Sequence, residues 1–281
     1  MKDITVKDLI GRYEAVLIDA YGVLVNQQGA LPGANAFLSS LEAANKPYFV
    51  LTNDASRLPE TIVRRFKTLG LSITVEHVVT SGQLLVEHFE RNGLKGKRCV
   101  VLGSADSVAY AERAGGRPVP ATEDADAEVL VVCDDSGFEP FLETLDAALS
   151  MAMRRIDHNL PMHLVLCNPD LIYPKGPDSY GFTSGSIALL IESAIRMRHT
   201  HDAVPQFAKL GKPYAPIFEA AARRAGTRKL VLLGDQLATD IRGAADFGID
   251  SVLVGTGLTH IKPDTVLDPD PTWYLPAVAG A

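Results

Sequence analysis

The sequence predicts an α/β fold in which a parallel-sheet core is interrupted by a second, inserted α/β module. Three observations carry this. Short apolar runs alternate with helical patterns at both ends of the chain. The first of these runs, Val16-Leu17-Ile18, breaks off in Asp19 and then Gly22, as a buried strand does when it delivers an acid to a sheet edge. A separate set of strands and helices lies between the two ends, bounded by no linker-like or low-complexity tract.

In chain order, Val6, Leu9 and Ile10 share one face of a short lead-in helix before the first strand. A polar turn over 26–31 precedes a helix over 34–45 with Phe37, Leu38 and Leu41 on its inner face. Tyr48 to Asn53 reads as the second strand. Two strands joined through a helix are parallel, so their polar ends share one edge and Thr52 falls near Asp19. A helix over 59–69 stopped by Gly70, a strand over 78–81 and a helix over 83–91 follow. The pattern then restarts, with strands at Cys99–Leu102, Val129–Cys133 and Leu164–Cys167, a helix over 138–153 and a long helix over 183–198. After Gly211-Lys212-Pro213 comes a helix with Pro in its first turn and Gly226 as its stop, then strands at 229–233 and 251–254 flanking a helix over 241–247. The expected division is a core of 1–83 and 207–281 with an insert of 84–206.

At 281 residues, 47% hydrophobic and 22% charged, the chain has the composition of a globular protein large enough for one or two cores. A net charge of −7 argues against nucleic acid as a partner. Arg64-Arg65 and Arg223-Arg224 read as solvated helix faces. The three cysteines, Cys99, Cys133 and Cys167, lie in apolar runs without metal-ligand spacing and are expected to be reduced core residues. No apolar stretch approaches the roughly 18 residues of a membrane span, and no signal-like segment opens the chain. No membrane partner and a cytoplasmic location are the expectations.

The strand ends collect Asp19, Thr52 with Asn53, Lys212, and the pair Asp235 and Asp240 on one edge. Phosphoryl transfer needs a nucleophile, a cation against charge repulsion, and donors for the phosphate oxygens. Asp19 is the expected nucleophile, forming an aspartyl-phosphate. Mg²⁺ is the expected cofactor, because it takes hard oxygen ligands including one or two carboxylates. Asp19, Asp235 and the backbone carbonyl of Tyr21 would supply those oxygens, with Asp240 orienting waters or Lys212 from further out. Thr52, Asn53 and Lys212 would cradle the phosphate.

Asp-x-x-Gly-Val, Leu-Thr-Asn, Gly-Lys-Pro and Gly-Asp-x-x-x-x-Asp, in that order, resemble the haloacid dehalogenase superfamily, most closely its class IIA phosphatases. The resemblance implies a Rossmann-like core with an inserted α/β cap domain, a small phosphorylated metabolite as substrate, and pairing of copies through the cap. Asn168-Pro169-Asp170 is similar to the cap signature of this class, so Asn168 and Asp170, with the helix start at Ser184-Gly185-Ser186, are the expected substrate-facing cap residues.

One position departs from the pattern. Phosphatases of the family carry a general acid/base Asp two residues after the nucleophile, where this chain has Tyr21. A phenol with an ordinary pKa near 10 is a poor base at neutral pH, so slow turnover is expected. Two alternatives stay open. Asp19-Ala20-Tyr21-Gly22 also resembles the first motif of 2-haloacid dehalogenases, although the Asp235 and Asp240 pair has no use there. A catalytically weak protein that binds a phosphorylated ligand is the other.

Overall fold

A computed structural model describes residues 2–176, 178–200, 204–257, 259 and 267–279. The chain forms two compact units: Met1–Thr52, Pro59–Val79 and Lys212–Ala281 make the first, and Asn53–Leu58 with Thr80–Gly211 the second.

The first unit is built on a seven-stranded sheet in the order Lys2–Asp3, Trp273–Leu275, Asp250–Val254, Leu230–Gly234, Ala15–Ile18, Tyr48–Thr52, Val78–Thr80. Every residue of Ala15–Ile18, Tyr48–Thr52 and Leu230–Gly234 is buried, as expected of parallel strands covered on both faces. Helices Val6–Arg12, Ala34–Ala43, Pro59–Thr68, Ala215–Ala225 and Arg242–Phe247 supply that cover. Their ends follow local chemistry. Thr5 and Asp8 form a reciprocal capping box at the first helix, and Gly226, at φ 67°, ends Ala215–Ala225 in the left-handed region.

The second unit has a five-stranded parallel sheet ordered Phe207–Lys209, His163–Leu166, Val129–Val132, Arg98–Leu102, Arg117–Pro118. Leu145, Met151, Ile187, Ile191 and Ile195 from helices Phe141–Asp157 and Ser184–Arg198 pack onto it. An antiparallel hairpin, Ile172–Gly176 with Ser179–Phe182, completes the unit.

Several elements differ from the sequence reading. Within 26–31 lies a miniature hairpin, Val25–Asn26 with Gly29–Ala30, closed because Asn26 Oδ1 accepts from the amides of Gln28 and Gly29. Helix Ala105–Arg113, capped by Ser104, has no counterpart in the expected elements. The strands Phe207–Lys209 and Trp273–Leu275 are too short to show a period. Phe207–Lys209 pairs with His163–Leu166, and the second unit takes Asn53–Leu58 and Thr80–Gly211, where the expected insert spanned 84–206. The cysteines are all free and buried. Among the described residues no helix is long and apolar enough to cross a membrane.

Candidate active site

In the first sheet, Ala15–Ile18 and Leu230–Gly234 are neighbours, and the chain extends outward from them in opposite directions. Ligands of open parallel sheets bind beyond the carboxyl ends of the strands at such a switch point. Asp19 leaves the first strand there and Asp235 leaves the second. The Asp19 amide donates to Leu233 O at 2.8 Å, continuing the ladder to the last residue before the site. Thr52, buried at the end of the next strand, lies on the same edge.

Asp240 arrives by a different route. Leu237–Ile241 is a wide, π-type turn, the kind of local unwinding that re-aims a side chain. Its Oδ2 accepts from the amides of Asp235 (3.2 Å) and Gln236 (3.1 Å). Its Oδ1 accepts from Lys212 Nζ at 2.7 Å, and the same ammonium donates to Asp19 Oδ1 at 2.5 Å. Asp19, Lys212, Asp235 and Asp240 are each no more than 5% exposed.

Burial pushes the Asp19 carboxyl well above the usual range; Lys212 opposes this, while Asp240 and Asp235 add like-charge repulsion. Burial alone would lower Lys212. The carboxylates of Asp19 and Asp240 outweigh it and hold the ammonium above the ordinary lysine range. Oxygens of Asp19, Asp235 and Asp240 lie within 4.8 Å of one another. Two of these carboxylates share one buried ammonium and the third lies beside them, and this all-oxygen donor set fits a small hard divalent cation.

Two glycines shape the place of Asp235. A Cβ at Gly257 would lie 1.9 Å from Asp235 Oδ2, and one at Gly22, where φ is +80°, would lie 2.4 Å from Asp235 Cγ. Thr256 Oγ1 donates to Gly22 O at 2.6 Å and ties the two sides of this slot together. Sequence reasoning passed over Thr256 and Gly257. Their signal is the small-residue run Gly255-Thr256-Gly257 directly after the strand Asp250–Val254, on the edge that already holds the acids.

Residues 16–117 match the family profile described as Haloacid dehalogenase-like hydrolase, and residues 209–281 match a second HAD-hydrolase-like profile. The chain is a haloacid dehalogenase-like hydrolase. It is 28% identical over 245 residues to the dihydroxyacetone phosphatase of Corynebacterium glutamicum, covering 86% of this chain and 81% of that one. It is 24% identical over 263 residues to an acid sugar phosphatase of Staphylococcus haemolyticus, covering 93% and 92%. A crystal structure of a possible sugar phosphatase of this superfamily from Cytophaga hutchinsonii superposes with a TM-score of 0.82 at 28% identity, covering 99% of each chain. The class IIA likeness and the α/β fold drawn from the motifs are borne out.

Within this haloacid dehalogenase-like hydrolase, the Tyr21 phenol engages Arg65. Its hydroxyl oxygen accepts from Arg65 Nη2 at 2.6 Å, and the guanidinium carbon sits 5.4 Å from the ring centroid. The phenol is thus tied to helix Pro59–Thr68, and Arg65 is no simple solvated residue. Arg224 likewise has a job, donating to the Val78 carbonyl at 2.6 Å.

Asn53, Asn168 and Asp170 belong to the second unit. Asn53 Nδ2 donates to Asp170 Oδ1 at 3.0 Å. Asn168 Oδ1 accepts from the Asp170 amide at 2.9 Å, and Asn168 Nδ2 donates to Thr183 Oγ1 at 3.2 Å. Thr183 caps helix Ser184–Arg198, its Oγ1 accepting from the Ser184 amide at 2.6 Å.

Proposed function

We propose that this chain is a Mg²⁺-dependent phosphatase that hydrolyses a small phosphate monoester through an aspartyl-phosphate on Asp19. The observation that carries the reading is the buried Asp19–Lys212–Asp240 bridge with Asp235 beside it at the switch point of the sheet. A carboxylate held next to an ammonium in a water-poor edge is kept as a nucleophile aimed at an anionic centre.

In the first half-reaction an Asp19 carboxylate oxygen attacks phosphorus, the ester P–O bond breaks, and the leaving alkoxide takes a proton from solvent water, which is left as hydroxide. In the second, water attacks phosphorus, inorganic phosphate departs and the Asp19 carboxylate returns. Lys212 holds Asp19 and offsets phosphate charge, while Thr52 and the Asn53 peptide donate to phosphate oxygens. Asp240 has both oxygens committed to Lys212 and to the amides of Asp235 and Gln236, so its role is to hold Lys212. Mg²⁺ would be held by Asp19, Asp235 and the Tyr21 carbonyl, and when bound it supplies positive charge against repulsion between the carboxylate and the phosphate. The second unit serves as the cap. The relatives named for dihydroxyacetone and acid sugar phosphates favour a short polyol or sugar phosphate as substrate.

The test is phosphate release from 4-nitrophenyl phosphate, glycerol phosphate and sugar phosphates, with Mg²⁺ and with chelator, for the wild type and Asp19→Asn. Mg²⁺-dependent release that falls at least about 10⁴-fold in Asp19→Asn is the expected result. Halide release from 2-haloacids without phosphate release would overturn it in favour of the dehalogenase reading.

The engagement of the Tyr21 phenol by Arg65 favours a second reading, a weakly active protein that binds a phosphorylated ligand. Inertness of the wild type together with activity in Tyr21→Asp would establish it.

A further inference from the structure

The segment that follows Thr52 is bolted into the second unit through its backbone. Ser81 Oγ donates to Asn53 O (2.8 Å), Ser107 Oγ to Ala55 O (2.8 Å), Ser104 Oγ to Ser56 O (2.5 Å) and Tyr110 Oη to Arg57 O (2.7 Å). The Leu58 amide donates to Asp106 Oδ2 at 2.9 Å. Hydroxyls and one carboxylate thus take up the polar backbone groups that a buried loop would otherwise leave unsatisfied.

At the head of this strap the Asn53 side chain is held as well. Its amide nitrogen reaches Asp170, and a Cβ at Gly211 would lie 2.5 Å from its Oδ1, so only glycine leaves room for the side chain in this setting. Asp170 is fixed in turn by the Asn168 turn and by the Gly185 amide, which donates to Asp170 O at 3.0 Å. A Cβ at Gly185 would lie 2.3 Å from Pro169 O, so the turn and the start of helix Ser184–Arg198 are packed at backbone distance.

We propose that Asp170 is a positioning residue, acting through Asn53 to fix the peptide that follows Thr52, and is not a reader of the alcohol part of the substrate. This rests on the phosphatase reading above and revises the substrate-facing role that the cap signature implied.

Steady-state kinetics of Asp170→Ala, Asp170→Asn, Asn53→Ala and the Asn53→Ala/Asp170→Ala double variant test this. The substrates are 4-nitrophenyl, glycerol and sugar phosphates, with orthovanadate as inhibitor and thermal unfolding as a check on folding. Loss of a held geometry predicts that Asp170→Ala lowers kcat by a similar factor on every ester, roughly 10- to 100-fold, and weakens vanadate inhibition in parallel. Asp170→Asn, which keeps an oxygen acceptor, should recover part of the loss. The double variant should be no worse than Asn53→Ala. A loss confined to KM for particular alcohols, or additive losses in the double variant, overturns the proposal while leaving the phosphatase reading intact. A folded wild type that hydrolyses none of the esters and is blind to vanadate overturns the phosphatase reading and this proposal with it.

Discussion

The two parallel sheets of this chain end in different chemistry. At the carboxyl edge of the first sheet, buried ionisable groups meet: Lys212 bridges Asp19 and Asp240, with Asp235 beside the two acids. At the same edge of the second sheet, the strands give way first to small or neutral groups, Ser104 and Ser107 after Arg98–Leu102, Cys133 after Val129–Val132, and Cys167 with Asn168 after His163–Leu166, with the acids Asp134 and Asp170 beyond them. The serines donate to backbone carbonyls of the strap, and the thiols of Cys133 and Cys167 lie 3.5 Å apart. Burial raises the Cys167 thiol well above its ordinary range, as suits an inert core residue. Similar strand-helix grammar therefore yields an edge where buried acids share one ammonium or an edge whose hydroxyls hold a backbone strap, according to a few residues past each strand.

The comparison breaks hardest at Lys212. Replacing it with Met strands the buried carboxylates of Asp19 and Asp240, so stability should fall by about 3–5 kcal/mol in urea titration. Phosphate release should drop by roughly 10²- to 10³-fold with it. If Lys212→Met unfolded like the wild type, the buried carboxylates would not depend on the Lys212 ammonium.

A smaller effect is expected at Gly257. Gly257→Ala should displace Asp235, raising the Mg²⁺ concentration for half-activity and lowering kcat by about 10- to 100-fold. Gly70→Ala is the contrast. Its Cβ meets nothing within 4 Å, but its φ of +79° is unfavourable for alanine, so it should cost about 1 kcal/mol and leave the kinetics alone.

The smallest effect belongs to the second sheet. Burial, with Asp135 and Asp54 nearby, pushes the Asp134 carboxyl up to about 6, against the hydrogen bond from Ser136. An acid with a raised folded-state pKa favours folding only while protonated. Its contribution is complete below the ordinary value of 3.8 and lost as pH rises through about 6. Asp134→Asn should accordingly change little at pH 3.5 and raise stability at pH 7 by no more than about 1 kcal/mol, since the half-exposed site is screened by water. Thermal unfolding at the two pH values reads the difference, and an equal shift at both would contradict the assignment.

Much of this was legible in the chain. Ala15–Ile18, Tyr48–Thr52 and Leu230–Gly234 are buried on both faces, so their apolar runs are unbroken and their polar ends stand out. Helices with one apolar face and a glycine stop were equally readable. Less visible were Phe207–Lys209, the hairpin Ile172–Gly176 with Ser179–Phe182, and Thr256 with Gly257 beside Asp235. Short edge strands exist because a neighbour offers unpaired backbone groups, and no period survives over so few residues.

What the sequence by itself determined was the α/β class, the order of strands and helices, and the residue types that stand at the strand ends. Those follow from local periodicity and from the rule that parallel strands are joined by crossovers. The tertiary structure alone decided which groups meet: that one ammonium bridges Asp19 and Asp240, that Asp235 lies in a slot between Gly22 and Gly257, and that Asp170 holds Asn53. Such contacts join residues far apart in the chain, and hydrogen-bond reach in a buried space depends on packing, which no local pattern encodes.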